Sequence, residues 1–145
     1  MANFYSEQYT KMFQSNPPQN VQANELRGRV RVAFFKYTTD ASENADDLIY
    51  FTRLPAGARV IGGQIAWADV GAASSVMHVG TADDPDHWIA SLAMSSAGTS
   101  QILASNLGTY MGEELSAETN VIGKIVTADF DAAGDIVGYL LYVVD

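Results

Sequence analysis

The densest group of side chains able to support chemistry lies in the stretch TADDPDHW, residues 81–88, which contains Asp83, Asp84, Asp86 and His87. Clustered carboxylates are the ligands that a calcium ion prefers. Their spacing matches no established calcium loop, however, and an Asp-Pro-Asp sequence is also typical of a surface turn. We favour the turn and predict no metal site, with Asp83, Asp84 and Asp86 as the candidate calcium ligands in the alternative case.

The other constellations of catalytic residue types are incomplete. His78 lies in the predicted strand SVMHVGT close to Ser74 and Ser75, but no GxSxG turn is present, so we interpret it as a structural histidine. The acid pairs at 46–47 and 113–114 are adjacent in sequence, and adjacent strand residues point to opposite faces, so neither pair can flank one glycosidic bond. The chain has no cysteine and no phosphate-binding glycine motif. We predict no catalytic residues, no enzymatic activity and no cofactor.

A second acidic stretch, DFDAAGD at residues 129–135, begins like an EF-hand loop. The loop then fails, because Leu140 occupies the twelfth position, where a bidentate glutamate is required. We instead interpret the AGD triplet at 133–135 as the hairpin connection between the last two strands.

The charge distribution narrows the class of partner. The formal net charge is −9, and Lys124 is the sole basic residue in residues 60–145, whereas acidic and basic residues nearly balance over residues 1–59. Binding to nucleic acid needs a dense basic surface, so we predict none. The start of the chain lacks the features of a secretory signal, and the longest apolar run, at 136–144, is too short to span a bilayer. We expect a soluble protein with no membrane association.

From Gly28 onward, the residue pattern predicts β-structure. Val30, Val32 and Phe34 alternate with Arg29 and Arg31, which predicts a half-buried strand with its apolar face towards the core. Further strand-like segments follow at short, regular spacing: 47–54, 58–70, 74–81, 88–94, 121–130 and 135–145. The pattern predicts an all-β, antiparallel β-sandwich or jelly-roll-like body of about seven or eight strands.

Glycine and tryptophan positions refine this prediction. Gly62 and Gly63 interrupt the strand in LPAGARVIGGQIAW, and Gly138 interrupts another, which favours bulges or bends in a curved sheet over a phosphate-binding loop. We place Trp67 in the core. Trp88 follows the acidic turn, so we expect it to be the exposed ring of any sugar-stacking surface.

An N-terminal arm, residues 1–27, precedes a single β-sandwich domain at residues 28–145. It is polar around Pro17 and Pro18 and carries an aromatic stripe at helical spacing, formed by Phe4, Tyr5, Tyr9, Met12 and Phe13. Two interpretations are open: the stripe folds back to cap a sheet edge, or it docks on a neighbouring chain.

The order of segments resembles a known family. RVRVAFFKYT, LPAGARVIGGQIAW, VGTADDPDHWIAS, NVIGKIVTAD and IVGYLLYVVD are similar to the head decoration, or capsid cement, proteins of tailed bacteriophages. The resemblance covers residues 28–145. It implies a β-sandwich body that forms a homotrimer, binds the major capsid protein on the capsid exterior and is assembled into the virion in the host cytoplasm. The family has no catalytic residues to transfer.

Arg27, Arg29 and Arg31 lie beside the arm, and we predict that they pair with capsid carboxylates; a solvated strand face is the alternative. Two other functional classes remain open, a carbohydrate-binding module and a tail or connector protein with a similar fold.

Overall fold

Eight β-strands account for most of the regular structure in the computed structural model, which describes residues 5–6, 9–21, 28–103 and 110–144. In chain order they are β1 (Val30–Asp40), β2 (Leu48–Leu54), β3 (Arg59–Trp67), β4 (Val76–Gly80), β5 (Ile89–Ala93), β6 (Gly98–Gln101), β7 (Thr119–Val126) and β8 (Ala133–Val143). A short π-helix, Thr10–Gln14, lies in the arm. Within these ranges, no helix is both long enough and apolar enough to cross a membrane.

The strands form two four-stranded antiparallel sheets. Their orders are β1-β8-β3-β6 and β2-β7-β4-β5, so that the chain crosses between sheets at nearly every connection. This order is the jelly-roll arrangement of a double-sheet β-sandwich. The predicted all-β sandwich is confirmed. The polar strand β6 was not among the segments predicted from the sequence.

The hairpin predicted at residues 133–135 is wrong. β7 and β8 belong to different sheets, and residues 133–135 are the first residues of β8, paired with Asp40, Thr39 and Thr38 of β1. A Cβ on Gly134 would lie 2.6 Å from Val70 Cγ1, so this glycine allows close packing rather than a turn. The glycine that suggested a turn is instead required because β8 packs closely against Val70.

The core lies between the inner faces of the two sheets, as in other sandwiches. Its largest fully buried side chains include Trp88, Phe130, Ile65 and Met77. Phe35 of β1 and Phe51 of β2 stack across the sheets with ring centroids 4.6 Å apart. Burial of these apolar surfaces is the main stabilising contribution to the fold.

The face assignment predicted for β1 is wrong. Phe35 is buried together with Thr39, whereas Val30, Val32 and Phe34 are exposed, Phe34 at 78%. Both faces of this strand carry apolar residues, so alternation does not identify the inner face. The β-branched and aromatic face chosen from the sequence points to solvent.

The glycine prediction for β3 is confirmed. The register between β3 and β8 shifts between Val60 and Gly62, and Gly63 has a φ of 148°. A Cβ on Gly63 would lie 2.2 Å from the Tyr139 carbonyl oxygen, so only glycine fits beside β8 at this bulge. Gly138 differs, because its register with β1 is regular and it makes room for the ring of Phe35 opposite.

Candidate partner-binding surface

An exposed apolar surface covers the outer face of the first sheet where β1 and β8 pair. Phe34 lies directly opposite Tyr139, with ring centroids 5.9 Å apart, and Val137 lies opposite Lys36 on the same face. We call this surface the outer strip and define it as Val30, Val32, Phe34, Val137 and Tyr139. Single exposed apolar residues are common on monomers, but contiguous apolar patches mark interaction sites.

Two depressions flank Tyr139 on the outer face. One has a volume of about 310 Å³ and is lined by Gly62, Gln101, Met111 and Leu141 among others. The other has a volume of about 190 Å³ and lies between Ala66, Thr99 and Val137. A Cβ on Gly62 would meet nothing within 4 Å, so the absence of a side chain at the bulge leaves the first depression open. The outer strip is therefore an uneven surface that can receive side chains from a partner.

The aromatic residues of the arm form a continuous ridge. The rings of Tyr5 and Tyr9 stack with centroids 5.0 Å apart, and those of Tyr9 and Phe13 are also 5.0 Å apart. All three rings are exposed, Phe13 at 64%. We call Tyr5, Tyr9 and Phe13 the aromatic ridge. The predicted helical spacing is realised by these three residues, while Met12 is half-buried.

The structure places the predicted partner-binding residues that it describes in two locations. Arg29 and Arg31 are exposed at the start of β1, where the arm enters the body. The aromatic ridge lies further back in the arm. Phe4 and Arg27 are outside the described residues.

The acidic turn at 81–88 is organised around His87 rather than around an ion site. His87 Nδ1 lies 3.0 Å from Asp84 Oδ2, and its Nε2 lies 3.5 Å from Glu113 Oε2. Its ring stacks on Tyr110 with centroids 3.8 Å apart. These contacts join the turn to the segment after the undescribed residues 104–109. We call Asp84, His87, Tyr110 and Glu113 the histidine clamp.

Backbone hydrogen bonds fix the turn that carries the clamp. The Thr81 amide donates to the Asp84 carbonyl at 2.9 Å, and the Asp84 amide donates to Thr81 Oγ1 at 3.1 Å. Asp83 and Asp86 are exposed on either side of Asp84. Over the described ranges, no three His, Asp or Glu side chains are grouped so that they could hold a metal ion.

The clamp has electrostatic consequences. Burial acts to raise the pKa of Asp84, but its hydrogen bonds, that with His87 foremost, outweigh this effect and hold the pKa below its usual value. The negative charge of Asp84 raises the pKa of Tyr110. Asp84 therefore serves as a charged partner within the turn.

The acidic groups near the clamp line a hollow of about 450 Å³, which includes Asp83, Glu114 and Glu118. Glu114 Oε2 pairs with Arg59 Nη2 at 2.7 Å, and Glu118 Oε1 pairs with Arg53 Nη1 at 3.0 Å. Both of these glutamates are thus tied to arginines of neighbouring strands.

The prediction that Trp88 is exposed is wrong. Trp88 is 1% exposed and packs in the core, with its ring edge-on to His87 at a centroid distance of 5.2 Å. Trp67, which we placed in the core from the sequence, is half-buried and packs against the core; its Nε1 donates to the carbonyls of Ala93 and Ser96. The indole rings do not form a sugar-stacking platform.

Sequence reasoning missed Val137 and Tyr139 as surface residues. The signal was present, because the run IVGYLLYVV is apolar on both faces of one strand. Such a run is typical of strands that are covered on both sides. One of the two faces of β8 meets the core; on the other, Val137 is exposed and Tyr139 is half-buried in the single chain.

Comparisons with known proteins identify the fold. No protein-family model and no curated protein sequence matches the chain. Among solved structures, it is similar to a chain of the cyanophage Pam1 capsid asymmetric unit, with a TM-score of 0.69 and 17% identity over 81% of this chain and 86% of that one. It is also similar to a chain of the capsid of Ralstonia phage GP4, with a TM-score of 0.66 and 19% identity over 81% of this chain and 86% of that chain. At these identities the likeness establishes a shared fold.

Proposed function

We propose that this chain is a structural protein of a tailed-bacteriophage virion, which binds the capsid exterior through the major capsid protein, stabilises the expanded shell and acts as a homotrimer without enzymatic activity. The observation that carries the proposal is the fold match to chains of two phage capsid structures over 81% of its length. The segment resemblance described above points to the same class. Assembly then takes place in the host cytoplasm.

The proposed mechanism is linkage between binding and shell stability. A ligand that binds the expanded shell and not its precursor or its dissociated subunits stabilises the expanded shell by mass action. A trimer with three arms contacts several capsid subunits at once, so each contact contributes through effective concentration. Weak individual contacts can therefore give long residence on the shell.

Arg29 and Arg31 supply the electrostatic part of the proposed contact. Both are exposed where the arm joins β1, in the near-neutral part of a chain whose residues 60–145 are strongly acidic. We assign them, together with Arg27, to carboxylates of the capsid subunits. The acidic remainder of the body then faces solvent.

The test is binding to expanded, empty heads of the phage that encodes this chain, measured by co-sedimentation at increasing salt. Pairing by the arginines predicts binding that weakens as salt screens it, and it predicts that Arg29→Gln/Arg31→Gln weakens binding at low salt. Arg53→Gln, which removes an exposed arginine from β2, is the matched control and should bind like the parent. Absence of binding at any salt would refute the proposed function, while strong salt-insensitive binding would refute only the role of the arginines.

A carbohydrate-binding role has less support. Sugar stacking needs exposed and roughly coplanar rings, but Trp88 is buried, and Phe34 and Tyr139 are inclined by 54°. A tail or connector role has no specific observation in its favour.

A further inference from the structure

The outer strip and the aromatic ridge are both exposed apolar surfaces within one chain. The strip lies on β1, which is an edge strand, and on its neighbour β8. Phe13 of the ridge lies in a π-helix of five residues, Thr10–Gln14, and Tyr5 and Tyr9 precede this helix. Helices this short are marginal in water without a packing partner. The ridge therefore needs an apolar surface to stabilise it.

We infer that the outer strip of one copy is the binding site for the aromatic ridge of a second copy. The inference rests on the self-association included in the proposed function, and it specifies which surfaces meet. Rings of the ridge would pack on Phe34 and Tyr139 and enter the depressions beside Tyr139. Aromatic pairs favour the tilted and offset arrangements that such an uneven surface allows.

The chain between ridge and strip is long enough for the ridge to reach a second copy. Residues 14–29 separate Phe13 from Val30, and they include the consecutive prolines Pro17 and Pro18, which favour extended backbone. A segment of this length reaches on the order of 50 Å when extended. A body of this size has a radius of gyration of only about 13 Å. The arm can therefore pass beyond its own body to a neighbour.

Charge also favours exchange of arms over direct contact between bodies. Residues 60–145 carry eleven acidic residues and one lysine, so that two bodies repel each other. The arm, residues 1–27, carries two acidic and two basic residues and is therefore neutral. A neutral arm with an apolar ridge can approach an acidic neighbour without the repulsion that separates two bodies.

Head-to-tail arm exchange also fits a closed ring. Each copy offers one ridge and one strip, which are different surfaces, so the contact is heterologous and closes when the rotation between copies is suitable. One arm alone would bury far less than the ~800 Å² per partner of a standard interface. In a closed ring each copy makes two such contacts, one through its ridge and one through its strip, so the buried area per copy is larger than that of a single arm.

The test uses the absence of cysteine from the chain. Full-length Phe13→Cys and full-length Val137→Cys, carrying tags of different size, are mixed and mildly oxidised, and cross-linked products are resolved on non-reducing gels. Ser91→Cys, on an exposed position of β5 in the other sheet, replaces Val137→Cys as the matched control. The mixed 13–137 disulfide should form at least about tenfold faster than the 13–91 disulfide, because docking raises the effective concentration. Equal rates would overturn the inference.

Docking on the chain's own body is an alternative outcome. The double variant Phe13→Cys/Val137→Cys is oxidised at high dilution with an excess of the parental protein. Exchange between copies predicts that the excess suppresses the disulfide. A disulfide that forms within one chain regardless of dilution would overturn the inference in favour of fold-back.

A second measurement uses light scattering and needs no cross-link. Phe34→Ser should lower the average mass of the full-length protein, whereas Tyr50→Ser, which changes an exposed ring on β2 outside the strip, should leave it at the parental value. If both variants keep the parental average mass, the outer strip is not the surface through which copies associate, and the inference is overturned. Neither side chain is in the core, so both variants should fold.

Head binding separates this inference from the proposed function. If the parent binds heads but the 13–137 disulfide is no faster than the control, the inference fails and the proposed function stands. If the disulfide forms rapidly but no heads are bound, the proposed function fails and arm exchange stands. Cross-linking of Phe13→Cys to the capsid protein alone would place the ridge on the shell and overturn the inference.

Discussion

The histidine clamp and the outer strip reverse the usual relation between residue type and environment. The clamp gathers charged and polar groups, yet both ring nitrogens of His87 lie against carboxylates of the same chain, and the tryptophan next to it is buried. The outer strip gathers apolar groups, yet Phe34 is among the most exposed side chains of the body. Polarity alone would have assigned function to the clamp and structure to the strip.

The difference shows that a binding surface is better located by asking which side chains lack contacts within the chain than by asking which residue types are polar. A polar cluster whose members bind one another has little left for a partner. An apolar surface in water has a favourable transfer free energy that only a partner can realise. Of these two regions, the strip is the one whose apolar surface is left for a partner to cover.

The strongest way to break the comparison is to truncate one large ring from each region. Trp88→Ala should lower the free energy of unfolding by about 3–5 kcal/mol, because it opens a cavity in the core. In the monomer, Phe34→Ala should change it by no more than about 0.5 kcal/mol, because an exposed ring loses few contacts. Urea unfolding of both variants measures this, at a protein concentration low enough to keep the chain monomeric. A large loss for Phe34→Ala in the monomer would show that the strip is already covered.

The second prediction concerns the inner face of the strand pair β1 and β8, where Phe35 lies opposite Gly138. A Cβ at Gly138 would lie 2.5 Å from Phe35 Cζ and 2.6 Å from the Gln64 carbonyl oxygen, so Gly138→Ala should cost about 1–3 kcal/mol through overpacking, of which the part due to the ring can be relieved at Phe35. In the background of Phe35→Leu the same change should cost clearly less. Denaturant unfolding of the parent, the two single variants and the double variant gives the coupling free energy between positions 35 and 138. Strictly additive changes would show that the ring of Phe35 is not what excludes a side chain at position 138.

The smallest effect is expected at the clamp and depends on pH. The pKa of Asp84 is lowered in the folded protein, so its contribution to stability is present above the ordinary aspartate pKa and is lost as pH falls through the lowered value. Asp84→Asn should reduce stability at neutral pH by about 0.5–1.5 kcal/mol and flatten the acid side of the stability curve. Asp83→Asn, one residue away and exposed, is the control and should leave the curve in place. Identical curves for both variants would remove Asp84 from the clamp.

The sequence predicts the class of fold because it depends on local patterns. Strand-forming runs separated by turn residues predicted the antiparallel sandwich, and paired glycines predicted the bulge at Gly62. Both follow from the conformational preferences of a few neighbouring residues.

The site was harder to predict because it depends on which surfaces meet. Phe34 and Phe35 are adjacent and alike, and only the packing of Phe35 on Phe51 determines which of them is inside. Similarly, residues 133–135 have turn-forming types, but the partner of β8 lies at the other end of the chain, in β1. Such long-range pairings leave no unambiguous local pattern.

The unbroken register of β1 has a mechanical consequence. β1 pairs with β8 without a shift from Val30↔Val143 to Asp40↔Ala133, and the arm enters the body at the Val30 end. A pull on the arm along the strand axis therefore loads the whole ladder of hydrogen bonds in shear, instead of opening them one after another. β2, whose register breaks between Tyr50 and Thr52, offers no such continuous ladder. β1 thus anchors the arm to the body. A force on the arm would be carried into the sandwich through the whole strand and would not separate β1 from β8 one hydrogen bond at a time.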